Sequence, residues 1–193
     1  MFMFVETRFC QSDMDDMYAI DGFTLFRNDG QSRGTNRPYG GIAIYSRLEF
    51  LPDFPCQHNR NGIEITVARL SVLPNVSMIV VYRSQKIPVQ QPCLALAEVL
   101  HLQPLSTYQI IIGDFNINWC NVTDTCRCGL FDLLIRDYGF RQLILQHTTA
   151  NRTCIDHVYT NIPDKNIFPY VKECYFSDHN PVCLILKQYE SLK

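Results

Sequence analysis

At 193 residues the chain is long enough to bury a full hydrophobic core as one domain, residues 1–193, without disulfide or metal staples. Its 47% hydrophobic and 19% charged residues are those of a soluble globular protein, and a formal net charge of −2 excludes holding a polyanion through bulk positive charge. A polyanion would need a local patch or a bound cation. Nine cysteines include no Cys-x-x-Cys pair, and the cluster Cys120, Cys126 and Cys128 lacks the ligand spacing of a zinc site. An odd, scattered count suits free thiols in a reducing compartment. No apolar run approaches membrane-spanning length, and Met1 to Val5 is too short for a signal peptide, so a cytoplasmic or nuclear protein is expected, with no membrane partner. The Asn-x-Ser/Thr triplets at Asn75, Asn121 and Asn151 carry little weight without a secretion signal.

Taken in order, Phe2 to Glu6 reads as a strand ending in an acid. Ser12 to Asp16 reads as a helical turn with Ser12 as its N-cap. A strand over Phe23 to Arg27 precedes a long loop, Asn28 to Tyr39, which carries Gly30, Gly34, Arg33 and Arg37. The pair Gly40-Gly41 opens a strand over Ile42 to Tyr45. From Ile63 to Leu70, apolar Ile63, Ile65 and Val67 alternate with Glu64 and Thr66, which predicts a strand with one wet face. Ser77 to Tyr82 is almost wholly apolar and reads as a central strand.

Pro92 suits the first turn of a helix running to about His101, with Pro104 just beyond its end. The stretch Gln109 to Asn116 (QIIIGDFN) then places Ile110 to Ile112 on a strand buried on both faces, followed by Gly113 and a carboxylate. If the backbone stays extended, Asp114 and Asn116 project from one side and Phe115 anchors the other. Gly-Asp after a strand is also ordinary turn chemistry. Leu130, Leu133, Leu134 and Tyr138 keep helical spacing up to a C-cap at Gly139. Further strands fit Ile155 to Thr160, Val171 to Tyr175 and Val182 to Leu186. Strands outnumber helices and several follow one another directly, which predicts packed sheets with helices outside.

Two more strand ends carry polar groups. Asp156 lies inside the apolar stretch Cys154 to Tyr159 and needs a partner, because a buried unpaired carboxylate is costly. His157 faces the opposite way, so His179, in Phe176 to Val182, is the better partner. Such a pair fixes the imidazole tautomer and leaves the other ring nitrogen for acid–base work; a Ser-Asp-His turn standing alone is more often a cap. Glu6 and Asp178 are further acids at strand ends, and carboxylates without cysteine partners suit Mg²⁺ or Mn²⁺. Tyr82 and Arg83 end another strand, where they reach a phosphate or equally pack at a sheet edge. Trp119 stacks on a base or, the more common case, is half-buried structure. No Cys-x5-Arg loop, Walker loop, His-Glu-x-x-His helix or Gly-x-Ser-x-Gly elbow is present. Water activated by a base, aimed at a centre polarised by a cation, remains as the nucleophile.

In chain order, Glu6 with Thr7, Gly113 to Asn116, Ile155 with Asp156, and Ser177 to His179 with Pro181 resemble the motifs of the endonuclease/exonuclease/phosphatase superfamily, the group with the deoxyribonuclease I-like fold. The stretches around Glu6, Phe26 to Asp29, Gly40 to Tyr45, Tyr82–Arg83 and Asp156 to Asn161 look most like endonuclease domains carried by mobile elements. The resemblance implies an α+β fold, a four-layer α/β/β/α sandwich of two packed mixed, mostly antiparallel sheets with the site at one edge. It implies that Glu6 and Asp178 hold the divalent cation. It makes Asp114 the group that activates water or protonates the leaving group, and Asn116 the one that positions the phosphate. His179 becomes base or phosphate contact, oriented by Asp156, and Tyr82 a phosphate contact. Family members begin with a strand bearing a metal-site Asn, whereas this sequence starts at the Glu strand, so either a truncated domain or a degenerate copy, with an exposed sheet edge, is expected.

The function expected is a Mg²⁺-dependent phosphodiester hydrolase, an endonuclease on DNA or RNA, with Arg83, Arg33 and Arg37, beside Arg27, contacting the backbone. The alternatives are a phosphomonoesterase of the same superfamily and a non-catalytic remnant that binds without turnover.

Overall fold

The computed structural model describes residues 1–30, 38–88, 90–102, 107–121 and 129–187. Arg33, Arg37, Gly34, Pro104, Cys126 and Cys128 lie outside the described residues. Strands β1 (Phe2–Val5), β2 (Thr24–Asn28) and β3 (Ile42–Ser46) form an antiparallel three-stranded sheet with β3 in the middle. Every residue of β3 is buried, which is why a run as apolar as Ile42 to Tyr45 sits there.

A six-stranded sheet follows. It is built from β4 (Cys56–Gln57), β5 (Ile63–Leu70), β6 (Leu73–Arg83), β7 (Tyr108–Asp114), β8 (Arg141–Gln142) and β9 (Asp156–Thr160), in the order β4-β5-β6-β7-β9-β8. All its pairings are antiparallel except β6 with β7. A parallel pair needs a crossover. Helix α1 (Gln90–Leu102) supplies it, burying Ala95, Leu96, Val99 and Leu100 along one stripe. The remaining pair, β10 (Ile167–Val171) and β11 (Val182–Leu186), is antiparallel. The result is an α+β sandwich of mixed, strand-dominated sheets with few helices. Among the described residues no helix is long and apolar enough to cross a membrane.

Four local expectations are corrected. Strand β5 is buried on both faces: Asn28 Nδ2 donates to Thr66 Oγ1 at 3.2 Å and the Gly41 amide to Glu64 Oε2 at 2.6 Å. The smaller sheet thus covers the polar side of β5 with hydrogen bonds. The strand expected over Val171 to Tyr175 lies earlier, at Ile167–Val171; Pro169 is tolerated there because β10 pairs on one side only. The turn near Ser12 is a 3₁₀ turn at Asp15–Tyr18, entered through Met14 without a side-chain cap. The segment after Leu130 is wound as a π-type turn, Phe131–Asp137, and it does end at Gly139, whose φ of +70° explains the glycine. All seven described cysteines are free thiols.

Candidate active site

The pairing register creates the site. Glu64 on β5 is opposite Tyr82 on β6, Tyr82 is opposite Asp114 on β7, and Asp114 is opposite Asp156 on β9. Residues directly opposite one another point to the same face, so one row across four strands carries three carboxylates and a phenol. The row reaches the strand ends on β6, β7 and β9 alike. There it borders a cleft of about 450 Å³ whose lining includes Glu6, Asp114, Asp156, Phe176, Asp178 and His179.

Gly113 makes the row possible. Its φ is +153°, and a Cβ there would stand 1.8 Å from the Val81 carbonyl oxygen, so only glycine lets β7 press against β6 one residue before Asp114. Beyond Asp114 the backbone turns. Asn116 is left-handed at φ +51°, and its amide donates to Asp114 Oδ1 at 2.8 Å. The extended continuation read from sequence is therefore replaced by an Asx-type turn. Phe115, fully buried, anchors it as expected, stacked on the His157 ring at a centroid distance of 4.9 Å. His157 Nε2 bonds the Ile117 carbonyl (2.8 Å), the Tyr159 hydroxyl donates to its Nδ1 (2.9 Å), and burial lowers its pKa to about 4. It is a neutral post behind the site.

Asp114, 3% exposed, has its carboxyl pushed up to about 7, first by burial and then by the charge of Asp156. His179 Nδ1 donates to both Asp156 oxygens, at 2.9 and 3.1 Å. That bond lifts the imidazole to about 9, so the ring is cationic at neutral pH and both of its nitrogens carry a proton. Polar atoms of Asp114, Asp156 and His179 all lie within 4.8 Å of one another; with the imidazole protonated, the two carboxylates are the members of the group that can bind a cation. Two carboxylates held side by side, one of them raised to about 7 by burial and by its neighbour's charge, with the Glu6 and Asp178 carboxylates on the same cleft wall, are the donor chemistry of a hard divalent cation. The residues fit such an ion.

Several assignments shift. Glu6 and Asp178 line the cleft, but the tight donor group is made of residues first assigned to catalysis. Glu6, exposed with φ +55°, accepts a 2.5 Å bond from the Tyr82 hydroxyl. Tyr82 is thereby committed to Glu6 rather than to a phosphate, and burial, with the Glu6 bond, raises its phenol far above the usual range.

Asn116 Nδ2 spends its hydrogens on the Arg83 carbonyl (2.7 Å) and Asp114 Oδ2 (3.1 Å), so it holds Asp114 instead of donating to a phosphate. Arg83, 5% exposed, turns its guanidinium inward to the carbonyls of Phe115 (2.8 Å), Asn116 (3.0 Å) and Ile87 (2.7 and 3.0 Å). It clamps the turn and does not face the cleft. Arg27 is likewise committed, to Asp29, Asp15 and the carbonyls of Cys10 and Asp13. Trp119 is buried.

Sequence reasoning missed Glu64, which is 2% exposed. Its carboxyl, raised to about 7 chiefly by burial, holds Gly41, whose neighbour Gly40 would place a Cβ 2.3 Å from Glu64 Oε1. The carbonyls of Gly40 and Gly41 accept the amides of Arg8 and Thr7, so this clamp fixes the chain just after Glu6. The only signal was the Gly-Gly pair, which says nothing about a distant acid.

The profile of the Endonuclease/Exonuclease/phosphatase family matches residues 8–179. No curated protein matches the chain. Among solved structures, an AP endonuclease from Archaeoglobus fulgidus is similar at 15% identity and a TM-score of 0.67, over 96% of this chain and 88% of that one. A 3′ phosphatase, NExo, from Neisseria, bound to product DNA hairpin, is similar at 16% identity and 0.61, over 96% and 88%. The 3′-5′ exonuclease NExo from Neisseria meningitidis is similar at 20% and 0.61, over 95% and 88%. At these identities the likeness establishes the deoxyribonuclease I-like fold.

Proposed function

The chain belongs to the endonuclease/exonuclease/phosphatase family, and from that premise we propose that it is a metal-dependent phosphodiester hydrolase, an endonuclease cutting DNA or RNA. The observation that carries this reading is the convergence of Asp114, Asp156 and His179 on one cleft that Glu6 and Asp178 also line. Beside Asp114, Asp156 with Glu6 and Asp178 around it would hold Mg²⁺ or Mn²⁺, which when bound neutralises phosphate charge and polarises phosphorus toward water.

The chain's own groups do the rest. Protonated His179, oriented by Asp156, donates from Nε2 to a phosphate oxygen and holds the ester in the cleft. Asp114, poised near neutrality, exchanges a proton with the attacking water or the departing oxygen. Asn116 keeps that carboxylate aimed, and Tyr82 keeps Glu6 at the rim. We read residues 1–193 as one domain of the kind carried by mobile elements, working in the cytoplasm or nucleus.

The test is incubation of end-labelled DNA and RNA oligonucleotides with purified protein in Mg²⁺ or Mn²⁺, with EDTA as control. Internal cleavage in the metal and none in EDTA supports the reading; intact strands in every condition overturn it. A second reading, a phosphomonoesterase at a nucleic-acid 3′ end, is favoured by the likeness to a 3′ phosphatase holding a DNA hairpin. It would release inorganic phosphate from 3′-phosphorylated strands without shortening them.

A further inference from the structure

The hairpin turn between β10 and β11 carries two consecutive aromatic side chains that the mechanism does not use. Tyr175 is 92% and Phe176 94% exposed, in a chain whose other large apolar residues are at most 67% exposed among those described. Stripping water from neither ring stabilises the fold, so folding does not explain them. The turn beneath is tied at several points: the Lys172 amide to the Pro181 carbonyl (3.0 Å), the Cys174 amide to Asn180 Oδ1 (3.0 Å) and the Asn180 amide to the Thr148 carbonyl (2.8 Å). The Tyr175 hydroxyl is held by Glu173 at 2.9 Å. A braced turn therefore presents bare rings, and Phe176 lines the same cleft as Asp114, Asp156 and His179.

Cations accompany them. Arg152 stands exposed on the turn whose Ala150 amide bonds the Asp178 carbonyl at 2.9 Å, and exposed Lys172 begins the aromatic hairpin. Neither makes an ion pair among the described residues. An exposed ring on the cleft wall, with cations on the turns bonded to that wall, is the kind of surface that holds single-stranded nucleic acid, through stacking on unpaired bases and contact with the backbone.

Resting on the nuclease reading, we propose that Phe176, backed by Tyr175, is the stacking platform for one unpaired base next to the scissile phosphate, so that the substrate is nucleic acid with an unstacked nucleotide at the cut. Phe176 is here a substrate-positioning residue. A fully paired duplex offers no free base face and is the poorer ligand.

The experiment is fluorescence anisotropy with labelled single-stranded oligonucleotides in which a tetrahydrofuran residue replaces each base in turn. Wild-type protein should lose affinity about 5- to 100-fold when one particular base is removed. Phe176→Ala should bind the intact strand that much more weakly and be indifferent to removal of that base, while Phe176→Trp restores both. Equal sensitivity of wild type and Phe176→Ala to base removal, or no binding of single strands by wild type, overturns the proposal. Base-dependent binding without cleavage in Mg²⁺ or Mn²⁺ would instead leave the platform standing and refute the hydrolase.

Discussion

Arg83→Met separates the two roles that a cation at the end of β6 can play. The guanidinium is buried against three carbonyl oxygens, two of them in the turn that aims Asp114. Methionine keeps the aliphatic stem and removes every donor. Each stranded carbonyl costs about 1–3 kcal/mol, partly offset because a buried charge is removed as well, so a net loss of about 3–5 kcal/mol is expected. Against an urea m-value of about 2 kcal/mol/M, that moves the unfolding midpoint down by about 2 M. The single tryptophan, Trp119, is buried beside His157 and reports unfolding by fluorescence. The opposite outcome is just as clear. If the midpoint stays within about 0.3 M while nucleic-acid binding weakens and its salt dependence flattens, Arg83 is a phosphate contact and the clamp argument fails.

Asp156→Asn should leave folding nearly intact and let the His179 pKa fall from about 9 toward its ordinary 6.5; cleavage should drop about 10²- to 10⁴-fold, and an NMR titration of the ring reads the pKa directly. Gly113→Ala should yield no native protein at 25 °C, judged by circular dichroism, because its Cβ would overlap the Val81 carbonyl; a folded, active variant would refute the close approach. His157 binds its proton in the unfolded chain near 6.5 and in the folded one only near 4, so the unfolded state holds more protons between those values. Its contribution is complete above pH 6.5 and lost as pH falls through 4, by about 3 kcal/mol. Urea midpoints measured from pH 7 to pH 4 should slope less in His157→Gln than in wild type; parallel slopes would show that the ring is not buried neutral.

Much of the fold was legible because periodicity and punctuation are local. Three isoleucines before Gly113 announce the central strand, Pro92 announces the first turn of α1, and the glycine at 139 ends the turn it follows. The pairing of Asp156 with His179 was legible too, since an acid inside an apolar strand requires a partner and parity excludes its neighbour. What was hidden depends on which surface a second sheet covers. Alternation in Ile63 to Leu70 looks like a wet strand until Asn28 and Gly41 arrive from the other sheet to bond its polar side. Arg83, Asn116 and Tyr82 have the right chemistry for phosphate, and only the turn at Asn116 and the reach of Glu6 across the sheets show their donors already spent. Pro169 concealed β10 because the rule against proline in strands applies inside a sheet and not at its margin.

The site's electrostatics follow from register more than from any one residue. Slipping β9 by a single position against β7 would turn Asp156 to the other face and bring His157, now stacked on Phe115, into the cleft. That slip is opposed by the buried layer behind the site: the His157–Tyr159–Trp119 aromatic cluster and the hydrogen bonds at both imidazole nitrogens. The same packing that fixes the register buries Asp114 and sets it against Asp156, and the Asp114 pKa is raised first by that burial and then by the repulsion. Folding energy from an apolar layer thus holds like charges closer than they would choose. A cation entering the cleft relieves that repulsion directly, so its affinity depends on how rigidly the layer behind is packed. Loosening the layer, by truncating Phe115 for instance, should therefore weaken metal binding even though no ligand is touched.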